Sequence, residues 1–204
     1  MKQLRRLILL SLLSGCLATI ASAQAGVRLD YVKPVGDLGA AFKPGPGITL
    51  LYSPSNTIRK FNGLFYVGAF RVTPQQDTLY ASYAIEDFGR VFNPGYRIYE
   101  PYLFLRAGGE ITYRLYVNKP FTPIGVVNLG GIGVTQRYEF RGGGVGETAH
   151  VYKGGLEGGL GLGVEYEINQ TYSARFTVVR HAAVFVESGI DQFWNISLNG
   201  IYYW

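Results

Sequence analysis

The segment Gln192-Phe193-Trp194-Asn195-Ile196-Ser197-Leu198-Asn199-Gly200-Ile201-Tyr202-Tyr203-Trp204 alternates along its whole length. Trp194, Ile196, Leu198, Tyr202 and Trp204 share one face, and Asn195, Ser197 and Asn199 share the other. This is the two-residue period of a β-strand wetted on one side. An apolar face this continuous needs an apolar partner, so the rest of the chain must show what that face meets.

At the other end, Lys2, Arg5 and Arg6 precede an apolar run from Leu7 to Ile20, followed by Ala21-Ser22-Ala23. A basic start, a short apolar core and small residues before the cut describe a secretory signal. We expect residues 1–23 to be a signal peptide and 24–204 to form one domain of roughly 180 residues. Leu13-Ser14-Gly15-Cys16 offers a competing lipobox-like site, at which Cys16 would be acylated. Cys16 is the only cysteine, so cleavage after Ala23 leaves no disulfide and no thiol chemistry.

Cleavage also changes the charge. The chain has 19 Lys and Arg against 14 Asp and Glu. Three of the basic residues lie in the signal, leaving 16 against 14, a net of +2. No basic run suited to nucleic acid remains. Beyond Ala23, no apolar stretch reaches the ~20 residues of a spanning helix.

With 28 Gly, 16 Tyr and 12 Phe but a single Met, the composition favours strands. Eight are expected, over 27–35, 42–52, 61–73, 96–117, 121–140, 151–168, 172–186 and 193–204. Several exceed the usual 5–6 residues, whereas a tilted membrane strand needs about 9–11. Connections after even strands (53–60, 118–120, 169–171) are on average shorter than those after odd strands, which include 74–95 and the Gly-rich 141–150. Residues 80–88 within the longest connection allow either a short helix or an extra strand.

Alternation alone does not separate a water-soluble barrel from a membrane barrel, because the two are inside-out versions of one pattern. Residue types decide. Over 96–117, Leu103, Leu105, Ala107, Ile111, Tyr113, Leu115 and Val117 oppose Arg106, Glu110, Thr112 and Arg114. Over 151–168, Leu156, Leu160, Leu162, Val164, Tyr166 and Ile168 oppose Gly155, Glu157, Gly159, Gly161, Gly163, Glu165 and Glu167. A face that combines charges with glycines suits the lumen of a narrow barrel, where side chains must fill the space without crowding. Arg106, Arg114 and Arg175 are expected to meet Glu110, Glu157, Glu165 and Glu167 there. That network reads as a salt-bridge plug or as a selectivity ring. Facing in strands 61–73 and 121–140 stays open.

Aromatic residues gather near the strand ends. Tyr52, Phe121, Tyr166, Tyr172, Tyr202 and Trp204 fall at the short-turn end, and Phe42, Tyr138, Tyr152, Phe185 and Trp194 at the other. Rings settle at both membrane–water interfaces, so two girdles are expected. A three-residue turn at 169–171 puts Glu165 opposite Arg175, Glu167 opposite Ser173 and Tyr166 opposite Ala174. Both charges then face the lumen.

On these residues the chain resembles the small eight-stranded bacterial outer-membrane β-barrels, of the OmpA transmembrane-domain and OmpX type. The resemblance implies an all-β, antiparallel up-and-down transmembrane barrel in the outer membrane of a Gram-negative envelope, with porin-like architecture. It also implies that the terminal aromatic strand is read by the barrel assembly machinery, and that outer-membrane lipid surrounds the wall.

Other chemistry is weakly encoded. The glycines at 154–163 lie within continuous alternation, not between a strand and a helix N-terminus, so they form no phosphate cradle. His150 and His181 fall toward the long-loop end near Ser188 and Asp191, but no spacing builds a triad and no third metal ligand is evident. We therefore expect no cofactor, no metal site and no catalytic residues. The leading reading is a non-enzymatic barrel with a structural, surface-interaction or accessory role, with small-solute permeability as a variant and 74–95 as the partner surface. A soluble periplasmic ligand-binding barrel and a lipid-modifying enzyme are the alternatives.

Overall fold

The computed structural model describes residues 23–54, 60–76, 78–85, 91–117, 119–142, 145–185 and 189–204. The expected signal peptide, apart from Ala23, lies outside them, as do Cys16 and Ser188. In chain order the elements are β1 Gln24–Val35, α1 Gly36–Ala41, β2 Phe42–Lys43, β3 Gly45–Ser53, β4 Phe61–Pro74 and β5 Thr78–Ile85. They continue with β6 Val91–Tyr99, β7 Tyr102–Arg114, β8 Phe121–Gly142, β9 Val145–Glu167, β10 Tyr172–Phe185 and β11 Gly189–Tyr203.

Eight of these strands form a closed antiparallel ring. Neighbours pair in the order β1, β3, β4, β7, β8, β9, β10 and β11. The ring shuts where β11 returns to β1, from Gln24 opposite Tyr203 to Val35 opposite Gln192. Ala23 and Trp204 extend the seam with two backbone bonds of 3.2 and 3.1 Å. The terminal alternating segment is therefore the strand that removes the last free edge of the ring.

The 169–171 turn sets the next register. Asn169 accepts backbone N–H bonds from Thr171 and Tyr172, each 2.8 Å, through its side-chain oxygen. This local bond stabilises a three-residue connection. Glu165 then pairs with Arg175, Glu167 with Ser173 and Tyr166 with Ala174, as the spacing predicts.

Two expectations need correction, and one open alternative is settled in part. Prolines end two of the proposed strands early. The 42–52 segment divides into β2 and β3 at Pro44, which has no N–H for a ladder. The 96–117 segment divides into β6 and β7 at Glu100-Pro101. There Tyr99 pairs with Tyr138 while Leu103 pairs with Thr135, so four steps on one strand span three on the other, which is a bulge. The open question at 80–88 resolves as strand as far as residue 85, where β5 pairs with β6, and 86–88 lie outside the described residues.

Beyond the bulge the sheet leaves the ring. The distal half of β8 pairs with β6 from Tyr138 to Gly142, and the distal part of β9, from Val145, pairs with β8 alone until Gly155 meets Phe185. The result is a four-stranded flap in the order β5-β6-β8-β9, rising from one side of the barrel.

Burial is inverted relative to a soluble barrel. Leu129, Leu160 and Leu162 on the outer face are 71%, 68% and 73% exposed, while Arg106 and Glu157 are 3% and 1% exposed. Strands left open by the sequence follow the same rule. Leu64, Tyr66 and Phe70 point inward with Ile124, Val126 and Asn128, and Phe65, Val67, Val127 and Leu129 point outward. Glycines let the walls come close where inward side chains cross. A Cβ on Gly159 would lie 2.5 Å from Asn128 Oδ1 and 3.0 Å from His181 Nδ1.

Candidate functional site

Inward residues stack in layers along the lumen. Nearest the short turns, Glu165 binds Arg114 at 2.6 Å and Arg175 at 3.0 Å. It also accepts from Ser173 at 3.1 Å and from the Tyr203 hydroxyl at 2.9 Å. Gln24 accepts from Asn62 at 2.9 Å. Next, Arg28 meets Glu110 at 2.6 Å and donates to Asn199 at 2.6 Å. Asp30 accepts from Thr49 at 2.6 Å and Asn195 at 2.9 Å.

The third layer centres on Glu157. Tyr66 donates to it at 2.7 Å, Arg106 approaches at 3.3 Å, and Arg106 also lies 4.9 Å over the Tyr66 ring. Tyr66 reaches this far because Gly108 and Gly130 carry no side chain, since a Cβ on either would fall 2.7 or 2.6 Å from its hydroxyl oxygen. Tyr66→Phe is therefore expected to cost about 1.5–3 kcal/mol, the range for a hydrogen bond to a charged group. Gly130→Ala should cost at least as much. Unfolding curves of the two single variants and the double should show strong non-additivity. Additive effects would separate the glycine from the tyrosine.

The structure brings most of the expected residues together, in a different composition. Arg106, Glu110, Arg114, Glu157, Glu165 and Arg175 are all buried inside. Glu167 is instead half-buried at the short-turn mouth, with no ion pair among the described residues. Sequence reading missed Arg28 and Asp30, although the alternation of Arg28, Asp30 and Val32 against Val27, Leu29 and Tyr31 was there to find it. With them, four arginines face four carboxylates.

His181 also needs correction. It is wholly buried, stacked on Phe193 at 4.8 Å with Nδ1 3.7 Å from Glu157. Odd residues of β10 point inward and the strand runs on to Phe185, so the rim lies beyond it. His150 is exposed on the flap, stacked on Tyr152 at 6.4 Å. Phe185 leaves the girdle for the same reason of parity. It is 4% exposed, within an apolar cluster that includes Phe42, Phe70, Phe104 and Phe193. Phe42 shares that inward fate.

Tyr138 also departs from the expected girdle, half-buried on the inner side with its ring 5.8 Å from that of Tyr99, and the remaining positions lie outward. Tyr52, Phe121, Tyr166, Tyr172 and Tyr202 are exposed at the short-turn end, and Trp204 stacks on Tyr202 at 5.5 Å. At the far boundary Trp194 pairs with Lys33 on one side and Arg180 on the other. The Arg180 guanidinium lies 5.7 Å over its ring and donates to Gln192 at 2.6 Å. On the flap, Arg141 meets Glu139 at 3.0 Å and Arg137 meets Glu100 at 3.5 Å. The hydrogen bond from Arg141 holds the Glu139 carboxyl below its ordinary range.

No protein-family model matches the chain, and no curated protein does. Among solved structures it is similar to Neisserial surface protein A, at 15% identity over 88% of this chain and 96% of that one, with a TM-score of 0.50. It is also similar to a major outer membrane protein from Thermus thermophilus, at 10% identity over 89% and 99%, with a TM-score of 0.51. Ail, the attachment invasion locus protein of Yersinia pestis, matches at 14% identity over 90% and 97%, with a TM-score of 0.48. The chain has the fold of the small eight-stranded outer-membrane β-barrels.

Proposed function

We propose that this barrel is a non-enzymatic bacterial outer-membrane protein whose wall is an anchor and whose flap binds an extended segment of a partner protein. The carrying observation is the outer edge of β5, which over residues 79–85 pairs with no strand but β6 among the described residues. This strand has eight residues, Thr78-Leu79-Tyr80-Ala81-Ser82-Tyr83-Ala84-Ile85, without a charge or a proline. Among the described residues it ends the sheet order. Unblunted edges of this length accept an added strand through main-chain bonds. The apolar exterior and charged interior favour a lipid setting and oppose the soluble ligand-binding alternative, which needs the reverse distribution.

The lumen supports the plug over the selectivity ring, because its charges balance and the aromatic cluster crosses it at the long-loop end. Purified protein in planar bilayers should give no stable conductance. Steady channels would favour a solute pathway instead. For the flap, charging the edge with Ser82→Lys and Ala84→Lys should abolish adhesion of expressing cells to protein-coated surfaces while leaving a heat-modifiable barrel. Unchanged adhesion would remove β5 from the function.

Assembly should depend on the closing seam. Deleting residues 202–204 removes the pairs of β11 with Gln24 and Ala25 and the Tyr203 bond to Glu165. The deletion should leave exported but unassembled, protease-sensitive chain, with Trp204→Phe tolerated. Recovery of a normal heat-resistant barrel after the deletion would contradict a role for this strand in assembly.

A further inference from the structure

The charged lumen is closed toward the flap by an aromatic floor. Phe70 stacks on Phe104 at 4.6 Å and meets Phe193 at 5.3 Å, and Phe42, Phe185 and Ile132 pack with them. Above this floor are two hollows of about 390 and 460 Å³, both lined by Tyr99, Tyr102 and Gln136. Volumes of this size suit small organic ligands. The bulge at Glu100-Pro101 builds the site, because it turns Tyr99 to the inner face opposite Tyr138, with ring centres 5.8 Å apart.

Two features define the chemistry such a cavity would hold. Phe42, Tyr99 and Tyr102 line the larger hollow and Tyr99, Tyr102, Phe104, Tyr138 and Phe185 the smaller, and these rings favour a planar aromatic guest in offset or edge contact. Gln136 is 7% exposed, and its Nε2 makes no hydrogen bond of ordinary geometry in the protein, the Tyr102 hydroxyl being the polar group beside it. A buried donor without a good acceptor is costly, so a guest that supplies one gains from it. Lys153 and Asp191 line the smaller hollow without forming an ion pair with each other. Burial raises the Asp191 carboxyl above its ordinary range, and the nearby Lys153 charge opposes that shift.

We propose that this mouth cavity is a binding site for a small planar aromatic molecule bearing a carbonyl-type hydrogen-bond acceptor. The ring lies among Tyr99, Tyr102 and the phenylalanine floor, and the acceptor takes the Gln136 Nε2 donor. Because the floor is closed, the site holds its ligand without passing it into the lumen. This inference goes beyond the flap reading and does not depend on what β5 binds.

The test uses the full mature barrel in lipid nanodiscs with benzamide as the probe, followed by saturation-transfer NMR and corrected with empty nanodiscs. Saturable binding is expected, weakened at least tenfold in Gln136→Leu and in Tyr102→Ala. Cyclohexanecarboxamide, which keeps the acceptor and loses the ring, should bind at least tenfold more weakly. Gln136→Leu preserves shape and removes a buried polar group, so it should keep the heat-modifiable fold. If Tyr102→Ala fails to fold, Gln136→Leu and the cyclohexane probe carry the test alone. Absence of saturable benzamide binding, equal affinity in Gln136→Leu, or equal binding of the two probes would overturn the proposal.

Discussion

Replacing Glu165 by Gln is expected to destabilise the barrel by about 3–5 kcal/mol, the scale for leaving a buried charge without its partner. The carboxylate serves two arginines at once, Arg114 at 2.6 Å and Arg175 at 3.0 Å, both 2% exposed. Removing Arg175 together with Glu165 does not restore balance, because Arg114 keeps its charge and loses the carboxylate that accepts two of its hydrogen bonds. The unit that can be deleted cleanly is the triad. Glu165→Gln with Arg114→Met and Arg175→Met should therefore recover most of the loss, and reversible unfolding in lipid measures it. A triple variant as unstable as the sum of its parts would show that the three side chains do not act together. The pairing of Glu165 with Arg175 alone, which the turn length predicts, describes only half of this arrangement.

Arg at Leu162 is expected to cost about 2–4 kcal/mol, the range for a charge at the bilayer midplane on the lipid face. Depth is set by the rows above and below. Leu162 pairs with Gly125 and Val178, and Val178 with Ile196, an outward row without charge. Below it lie Tyr166, Tyr172 and Tyr202, and above it Lys33, Trp194 and Arg180. Leu160, two residues nearer the long-loop end, pairs directly with Arg180. An arginine there would sit nearer the boundary and beside a like charge, so its cost would report two effects. Ile190→Arg, outward and beyond Trp194, should cost about 0–1 kcal/mol by the same depth rule. Equal costs at Leu162 and Ile190 would reject this placement of the apolar band.

The ring was legible because its signal repeats. Each strand that carried Leu, Val or Tyr on one parity and Arg, Glu or Gly on the other could be assigned a face without knowledge of its neighbours. Pairing across 169–171 followed from parity and a short turn. The misses lie where that rule meets a local exception or was not applied. Pro101 and the bulge beside it reset the count between Tyr99 and Tyr102, so one long strand became two. Phe185 and His181 lie toward the long-loop end of their strand, where height alone suggests a rim, but parity puts both inside. Lumen layers depend on partners 82 residues apart in sequence, as for Arg28 and Glu110, and on glycines beneath Tyr66, neither of which a single strand announces. The cavity at the mouth is lined from residues 38–42, 74–76, 99–104, 134–138, 151–153, 185 and 191, and so has no linear signature.

The unbroken ladder of β8 and β9, from Phe121 opposite Tyr166 to Gly142 opposite Val145, also has a mechanical meaning. Tension along these strands loads many backbone bonds side by side, so the wall resists it in shear. The edge hairpin is fastened more lightly, by the pairs from Gly95 to Tyr99 against β8. A tether pulling on β5 should peel β5 and β6 from the flap before it disturbs the ring. The molecule would then yield at its gripping edge and keep its footing.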